Sequence, residues 1–169
     1  MENKEQEFQT IITEYQHMIY RLCCSYIADD HIRKDLYQNI LIRLWRGIDS
    51  FQNRSSLGTW VYRIAVNTSL DFLRKEFKSR SRAINMDLEN LAITDKSTNQ
   101  EEEILISERA ELLYKCINGF SFIDKTIISL YLEDLSYKEI AHIVGITEKN
   151  VSVKISRIKK NLSQCLKDL

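Results

Sequence analysis

Apolar residues recur at steps of three and four along most of the chain, the spacing of one buried helix face. Phe8, Ile11, Ile12, Tyr15, Met18, Ile19 and Leu22 predict a first helix from about Lys4 to Ile27. Asp29 or Asp30 can cap a second helix reaching about Ile48, with Leu36, Ile40, Leu41, Leu44 and Trp45 on one side. The polar turn Asp49–Ser55 leads into a third, from Ser56 to about Lys78, whose inward side carries Leu57, Trp60, Val61, Ile64, Thr68 and Phe72. Periodicity fades between Ser79 and Gln100, which reads as a linker.

The pattern then resumes. Asn99 with Glu102 predicts a capped start for a helix through Cys116, with Gly119 in the left-handed conformation that helix ends favour. Ser121 with Asp124 opens a short helix to about Leu132. Ser136 and Glu139 form a capping box for the next, which stops at Gly145, and Thr147 caps the last, to about Lys167. The expected fold is all-α: helical domains at 1–78 and 101–169, joined by a flexible linker at 79–100. The chain holds no proline and four glycines, which agrees, because both residues interrupt helix interiors.

Charge changes the picture. The net charge is zero, yet Arg74–Arg82 carries five basic residues against one acid, and so does Glu148–Lys160. Between them Asp87–Glu111 holds eight acids and two bases. Two basic patches joined by an acidic connector can engage a polyanion at both ends. No stretch approaches the roughly 20 apolar residues that cross a bilayer, and the polar start MENKEQEFQT lacks signal-peptide features, so a cytoplasmic protein is expected.

Little points to catalysis or metal. His17, His31 and His142 are scattered, with His142 expected on an exposed helix side. No nucleophile–base pair or glycine-rich phosphate loop stands out. Cys23, Cys24, Cys116 and Cys165 lack zinc-motif spacing and read as reduced thiols. No cofactor and no metal site are expected.

The segment Ser136–Leu162 has the layout of a helix-turn-helix. Ala141 stands four positions before Gly145 and Val151 six after it, and Ile140, Ile143, Val144 and Ile146 supply the buried side. A close helix crossing needs the small side chain, and the tight turn needs the glycine. On the last helix Val151, Ile155, Ile158 and Leu162 form an apolar stripe. Lys149, Val153, Ser156 and Lys160 point away from it, flanked by Ser152 and Arg157, a small, polar and basic face suited to a major groove. Arg157, Lys159 and Lys160 are placed to hold phosphates.

In the N-terminal half Arg63, Asn67, Arg74 and Lys78 fall within an arc of about 60° on one helix. Such a strip can follow a phosphate backbone, with Asn67 hydrogen-bonding a base. The neighbouring loop Gln52–Ser55 offers small polar groups to an unstacked base.

Several segments in order resemble a known family. Tyr20–Leu22, Asp35–Gln38, Leu44–Arg46 and Thr59–Asn67 are similar to region 2 of the extracytoplasmic-function (ECF) sigma factors. Leu130–Ala141 through Arg157 is similar to region 4 of the same family, so the resemblance covers about Phe8–Lys78 and Glu108–Leu166. It implies that Asp35, Gln38, Asn39 and Arg43 bind the β′ clamp of RNA polymerase core, with the β flap as a further contact. It implies that Asn53, Arg54, Ser55, Ser56, Arg63, Asn67, Arg74 and Lys78 engage the unwound −10 strand. It implies that Thr147, Lys149, Asn150, Ser152, Val153, Ser156, Arg157 and Lys160 engage the −35 duplex. Promoter DNA and an anti-sigma factor are the other partners so implied, and the acidic linker would thread through channels built for nucleic acid.

Departures are visible. Asn39 stands where the family usually has Glu. The proline that often opens the first long helix of region 4 is missing around Gly119–Phe122, and Ser152-Val153-Lys154 replaces a frequent Lys-Ser-Arg. Promoter preference does not carry over. Two other readings compete: a helix-turn-helix regulator that binds duplex DNA without polymerase core, and a helical adaptor that binds only proteins. The first is opposed by Asp35–Gln38 and Trp60–Asn67, the second by the basic face opposite Val151.

Overall fold

The computed structural model describes residues 2–52, 55–81 and 108–168. Within them lie seven α-helices and no strand: α1 (Glu2–Tyr26), α2 (Asp30–Gly47), α3 (Leu57–Ser81), α4 (Glu108–Asn118), α5 (Phe122–Leu132), α6 (Tyr137–Val144) and α7 (Glu148–Cys165). A short 3-10 turn, Ile48–Ser50, follows α2. The chain divides into two compact units, one holding α1 to Cys23, α2 from His31 and α3, the other holding α4–α7 with Cys24–Asp30 grouped to it. The all-α expectation holds.

In the first unit the apolar periodicity becomes a three-helix core. Ile11, Ile19, Leu36, Ile40, Leu44 and Val61 are almost wholly buried, each burial worth about 1.5–3 kcal/mol. Ring contacts join α1 to α2, with Phe8 edge-on to Trp45 at 5.2 Å and Tyr20 edge-on to Tyr37 at 6.2 Å. Helix α3 lies against the end of α2 at Gly47. A Cβ there would sit 3.3 Å from the Trp60 ring, so a small residue lets the two backbones approach. Trp45 departs from expectation, since 36% of it is exposed at the edge of the core. Helix α3 also runs three residues past the expected end at Lys78.

The second unit is held together by its caps and by α7. Ser121 accepts the Asp124 amide at 3.3 Å to open α5. Ser136 and Glu139 close the capping box that opens α6: the Ser136 amide donates to the Glu139 carboxylate at 2.9 Å, and Ser136 Oγ accepts the Glu139 amide at 3.3 Å. The Ser136 hydroxyl also donates to that carboxylate, at 2.7 Å, and it and the Ser136 amide together hold the Glu139 carboxyl below its ordinary pKa. Gly145 ends α6 at φ 78°, where its amide and that of Ile146 both reach Ala141 O, at 2.9 and 3.1 Å. No atom lies within 4 Å of a Cβ built there, so conformation and not space requires glycine.

Two expectations need correction. Gly119 does follow α4, but Gly145 is the one glycine at positive φ among the described residues; α4 ends instead in tight turns from Gly119 N to Cys116 O and Phe120 N to Ile117 O. Cys116 and Cys165 are not reduced thiols: they form a disulfide between the ends of α4 and α7, with Cα atoms 6.0 Å apart. Cys23 and Cys24 are buried outside it. The predicted Asn99–Glu102 cap and most of the 79–100 linker lie outside the described residues.

Candidate nucleic-acid interface

Helices α6 and α7, joined through Gly145–Thr147, make the helix-turn-helix read from the sequence. Val151, Ile155, Ile158 and Leu162 are buried along one side of α7, and Ile140, Ala141 and Ile143 along α6. Val144 and Ile146, expected on the buried side, are half-buried. The opposite face of α7 is open: Thr147, Lys149, Asn150, Ser152, Val153, Ser156, Arg157 and Lys160 are all exposed. Val153 is 62% exposed, an isolated apolar group among polar ones, and such a group can meet the methyl of a thymine. His142 is exposed on α6.

Several of these groups already have work inside the protein. Thr147 Oγ1 accepts the Asn150 amide at 3.2 Å, so its hydroxyl caps α7. Arg157 Nη2 donates to Asp124 Oδ2 at 2.9 Å, and Lys154 Nζ donates to Asp124 Oδ1 at 3.0 Å. The Asp124 side chain is 14% exposed whereas Arg157 is 57% exposed. One sheltered carboxylate on α5 thus fixes two cations of α7 while leaving much of the guanidinium open. Lys159 donates to the Tyr131 hydroxyl at 2.6 Å and lies 4.2 Å from the centre of that ring; the hydrogen bond raises its pKa. Of the three cations expected to hold phosphates, Arg157 and Lys159 also bind side chains of α5. Asp124 and Tyr131 were missed because no local pattern links residues about thirty positions apart.

On α3, Arg63, Asn67, Arg74 and Lys78 are exposed, and the helix brings them to one side as the spacing predicts. Beneath them Val61, Ala65, Thr68 and Ser69 are buried. Thr68 and Ser69 donate to the carbonyls of Ile64 and Ala65 at 2.6 and 2.8 Å, so these polar groups are satisfied locally. Ser56 Oγ accepts the Thr59 amide at 3.2 Å, a cap at the start of α3. Ser55 Oγ donates to Ser56 O at 3.3 Å. Asn53 and Arg54 lie outside the described residues.

A third surface lies on α2. Asp35, Gln38, Asn39 and Arg43 are all exposed. Asn39 Nδ2 donates to Asp35 O at 2.8 Å, which lays its side chain back along the helix. Arg43 is drawn away to α3, where Nη2 meets Asp71 Oδ2 at 3.0 Å. The group that sequence reasoning passed over is Ile42, 46% exposed between Asn39 and Arg43 on this polar face. Its place three and four positions after Asn39 and Gln38 was the available signal. An apolar side chain ringed by polar ones is a usual centre for a protein contact.

Among the described residues no group of three or more His, Cys, Asp or Glu could hold a metal ion, and no helix is long and apolar enough to cross a membrane.

Comparison with known proteins agrees with this geometry. Sigma-70 region 2 matches residues 11–78, and Sigma-70 region 4 matches residues 110–162. The ECF RNA polymerase sigma-E factor of Haemophilus influenzae is 30% identical over 169 residues, covering 96% of this chain and 88% of its relative. The RNA polymerase sigma factor SigV of Bacillus subtilis is 30% identical over 152 residues, 89% of this chain and 86% of that one. Among solved structures, the sigma factor RpoE in complex with the anti-sigma factor NepR from Bartonella quintana superposes with a TM-score of 0.75 at 21% identity, covering 96% of this chain and 98% of that one. CnrH in complex with the cytosolic domain of CnrY gives a TM-score of 0.65 at 18% identity, over 97% and 90% of the two chains. With two region matches in order and full-length relatives of the same kind, the chain belongs to the sigma-70 family of RNA polymerase sigma factors, among its extracytoplasmic-function members.

Proposed function

We propose that this protein directs RNA polymerase core to a defined set of promoters and helps to open them, through three surfaces with separate tasks. Residues 1–78 would form region 2 and residues 101–169 region 4, with 79–100 between them. The α2 face of Asp35, Gln38, Asn39 and Ile42 takes the β′ clamp. The α3 strip of Arg63, Asn67, Arg74 and Lys78, with the 53–56 loop, holds the unwound −10 strand. The outward face of α7 enters the major groove at the −35 duplex, while the body of region 4 meets the β flap. Catalysis of RNA synthesis belongs to the polymerase, so the chain works in the cytoplasm, where that enzyme is found.

One observation carries this reading most strongly. The basic and polar face of α7 stands opposite a fully buried stripe, in a chain whose other unit exposes a second, separate basic strip on α3. An adaptor needs neither surface, and a simple duplex-binding regulator does not need the second. One solved neighbour is a sigma factor in complex with an anti-sigma factor, and another, CnrH, is in complex with the cytosolic domain of CnrY, which supports a similar partner restraining this chain until a signal releases it.

Selection of DNA from a random pool by the chain together with core polymerase tests the division of labour. Two conserved blocks at a fixed spacing are expected, and Lys149→Glu should erase only the upstream one. Recovery of one block, bound equally well without core, would favour the simple regulator.

A further inference from the structure

The Cys116–Cys165 pair takes no part in the surfaces just described. It joins the last turn of α4 to the last turn of α7, and its 49-residue separation encloses α5, α6 and nearly all of α7, hence the whole helix-turn-helix. Cys165 continues the buried stripe of α7 by one more step of three after Leu162. Cys116 is 4% exposed, whereas Cys165 is half-buried on an open groove with Asn161, Gln164 and Asp168. One sulfur is thus sheltered by packing and its partner stands where a small reagent can reach it.

We propose that Cys116 and Cys165 form a reversible thiol–disulfide site, with low-molecular-weight disulfides as its oxidant, that ties the end of the recognition helix to α4. Thiols of a reducing compartment are kept reduced, and disulfides found there are usually transient or redox-sensing. The pair therefore cycles and is not a permanent staple. In the forward direction the Cys165 thiolate attacks one sulfur of the small disulfide and releases one thiol, leaving a mixed disulfide. The Cys116 thiolate then attacks Cys165 Sγ and releases the second thiol. Two electrons pass from the protein dithiol to the small disulfide, and the two protein protons end on the released thiols or solvent. Because Cys116 is buried, exchange begins at Cys165 and is completed at Cys116.

The consequence follows from what the bond encloses. Cross-linking restricts the unfolded chain across the entire helix-turn-helix, so oxidation raises the melting midpoint of the C-terminal unit by roughly ten degrees or more. In the reduced protein the last turn of α7 is held by Leu162 and by packing alone and is the first to fray. Oxidising conditions thus keep region 4 folded under heat that would otherwise loosen it. That the pair cycles rests on the cytoplasmic setting proposed above, whereas the thiol chemistry itself is read in the purified chain without polymerase.

The experiment equilibrates the full chain in mixtures of reduced and oxidised glutathione, traps thiols with iodoacetamide and maps them by mass spectrometry. The tryptic peptides 116–125 and 161–167 should become linked in a single monomeric transition within the glutathione range, reversed by dithiothreitol. Thermal melting of the same samples should fall on reduction. Cys165→Ser, chosen because that position is half-exposed, should melt like the reduced protein and ignore the redox mixture. A pair that stays linked in every mixture would overturn reversibility, and one that stays reduced in every mixture would overturn the site. A redox-dependent melting shift that survives in Cys165→Ser would equally overturn the assignment.

Discussion

Asp124 of α5 and Arg157 of α7 are joined at 2.9 Å, with Lys154 completing the same carboxylate at 3.0 Å. Asp124 also supplies the amide that Ser121 caps, so one residue starts a helix and orients another. Exposed ion pairs contribute little, but a sheltered acceptor shared by two cations is a different case, because each partner lowers the entropy cost of placing the next. Helix α5 thereby fixes the position of the Arg157 guanidinium on α7.

Asp124→Asn should therefore separate position from charge. The change adds net positive charge, so binding to unrelated duplex holds or rises, while binding to the selected −35 duplex falls about three- to tenfold, on the order of 1 kcal/mol. Stability of the C-terminal unit falls by about 1–2 kcal/mol for the lost charged hydrogen bonds. Fluorescence anisotropy on the two duplexes reads the first effect and a thermal melt the second. Equal loss on both duplexes would show a merely structural residue.

The capping box gives a prediction with a definite pH sign. Ser136→Ala removes the hydroxyl that both caps α6 and binds the Glu139 carboxylate, and should cost about 1 kcal/mol at neutral pH. The folded Glu139 pKa lies below its unfolded value, so its contribution is full above the unfolded pKa and is lost as pH falls through the folded one. The gap between wild type and variant should narrow on acidification. Melting curves across the carboxylate range test this, and a gap that widened would contradict the assignment.

Gly145→Ala should cost about 1–2 kcal/mol, because φ 78° is disfavoured for any residue with a Cβ. Nothing crowds the added methyl, so the variant remains folded and the loss appears as a lower midpoint without a changed denaturant slope.

Ile42→Ser tests the α2 face proposed to meet polymerase core. The side chain is 46% exposed, so chain stability should move by less than about 0.5 kcal/mol. Affinity for core polymerase should fall roughly tenfold, as expected when a central apolar contact is removed. Asp71→Ala, which frees Arg43 from α3, should lower stability by no more than about 1 kcal/mol.

Much of this was legible in the sequence, and the boundary has a physical basis. Local signals carried well: the Ser136–Glu139 box, the Thr147 cap and the Val151 stripe each depend on residues within one or two turns, and each is present. The outward face of α7 followed from that stripe by helix geometry. What escaped was set by packing between elements far apart in sequence. Asp124 meets Lys154 and Arg157 across thirty and thirty-three positions, and Cys116 meets Cys165 across forty-nine. The even apolar spacing of α2 likewise did not reveal that Trp45 would sit at the rim of the core, beside Phe8 and Lys4. Gly119 misled because a glycine after a helix can end it without entering the left-handed region.

The most direct test of the central claim is run-off transcription with purified core polymerase on genomic fragments, with and without this protein. Discrete transcripts should appear only when it is added, and should vanish with Asp35→Arg or Asn67→Asp, both exposed positions whose substitution leaves the melting curve in place. Absence of any core-dependent transcript, from a folded chain that binds specific duplex DNA on its own, would contradict the account.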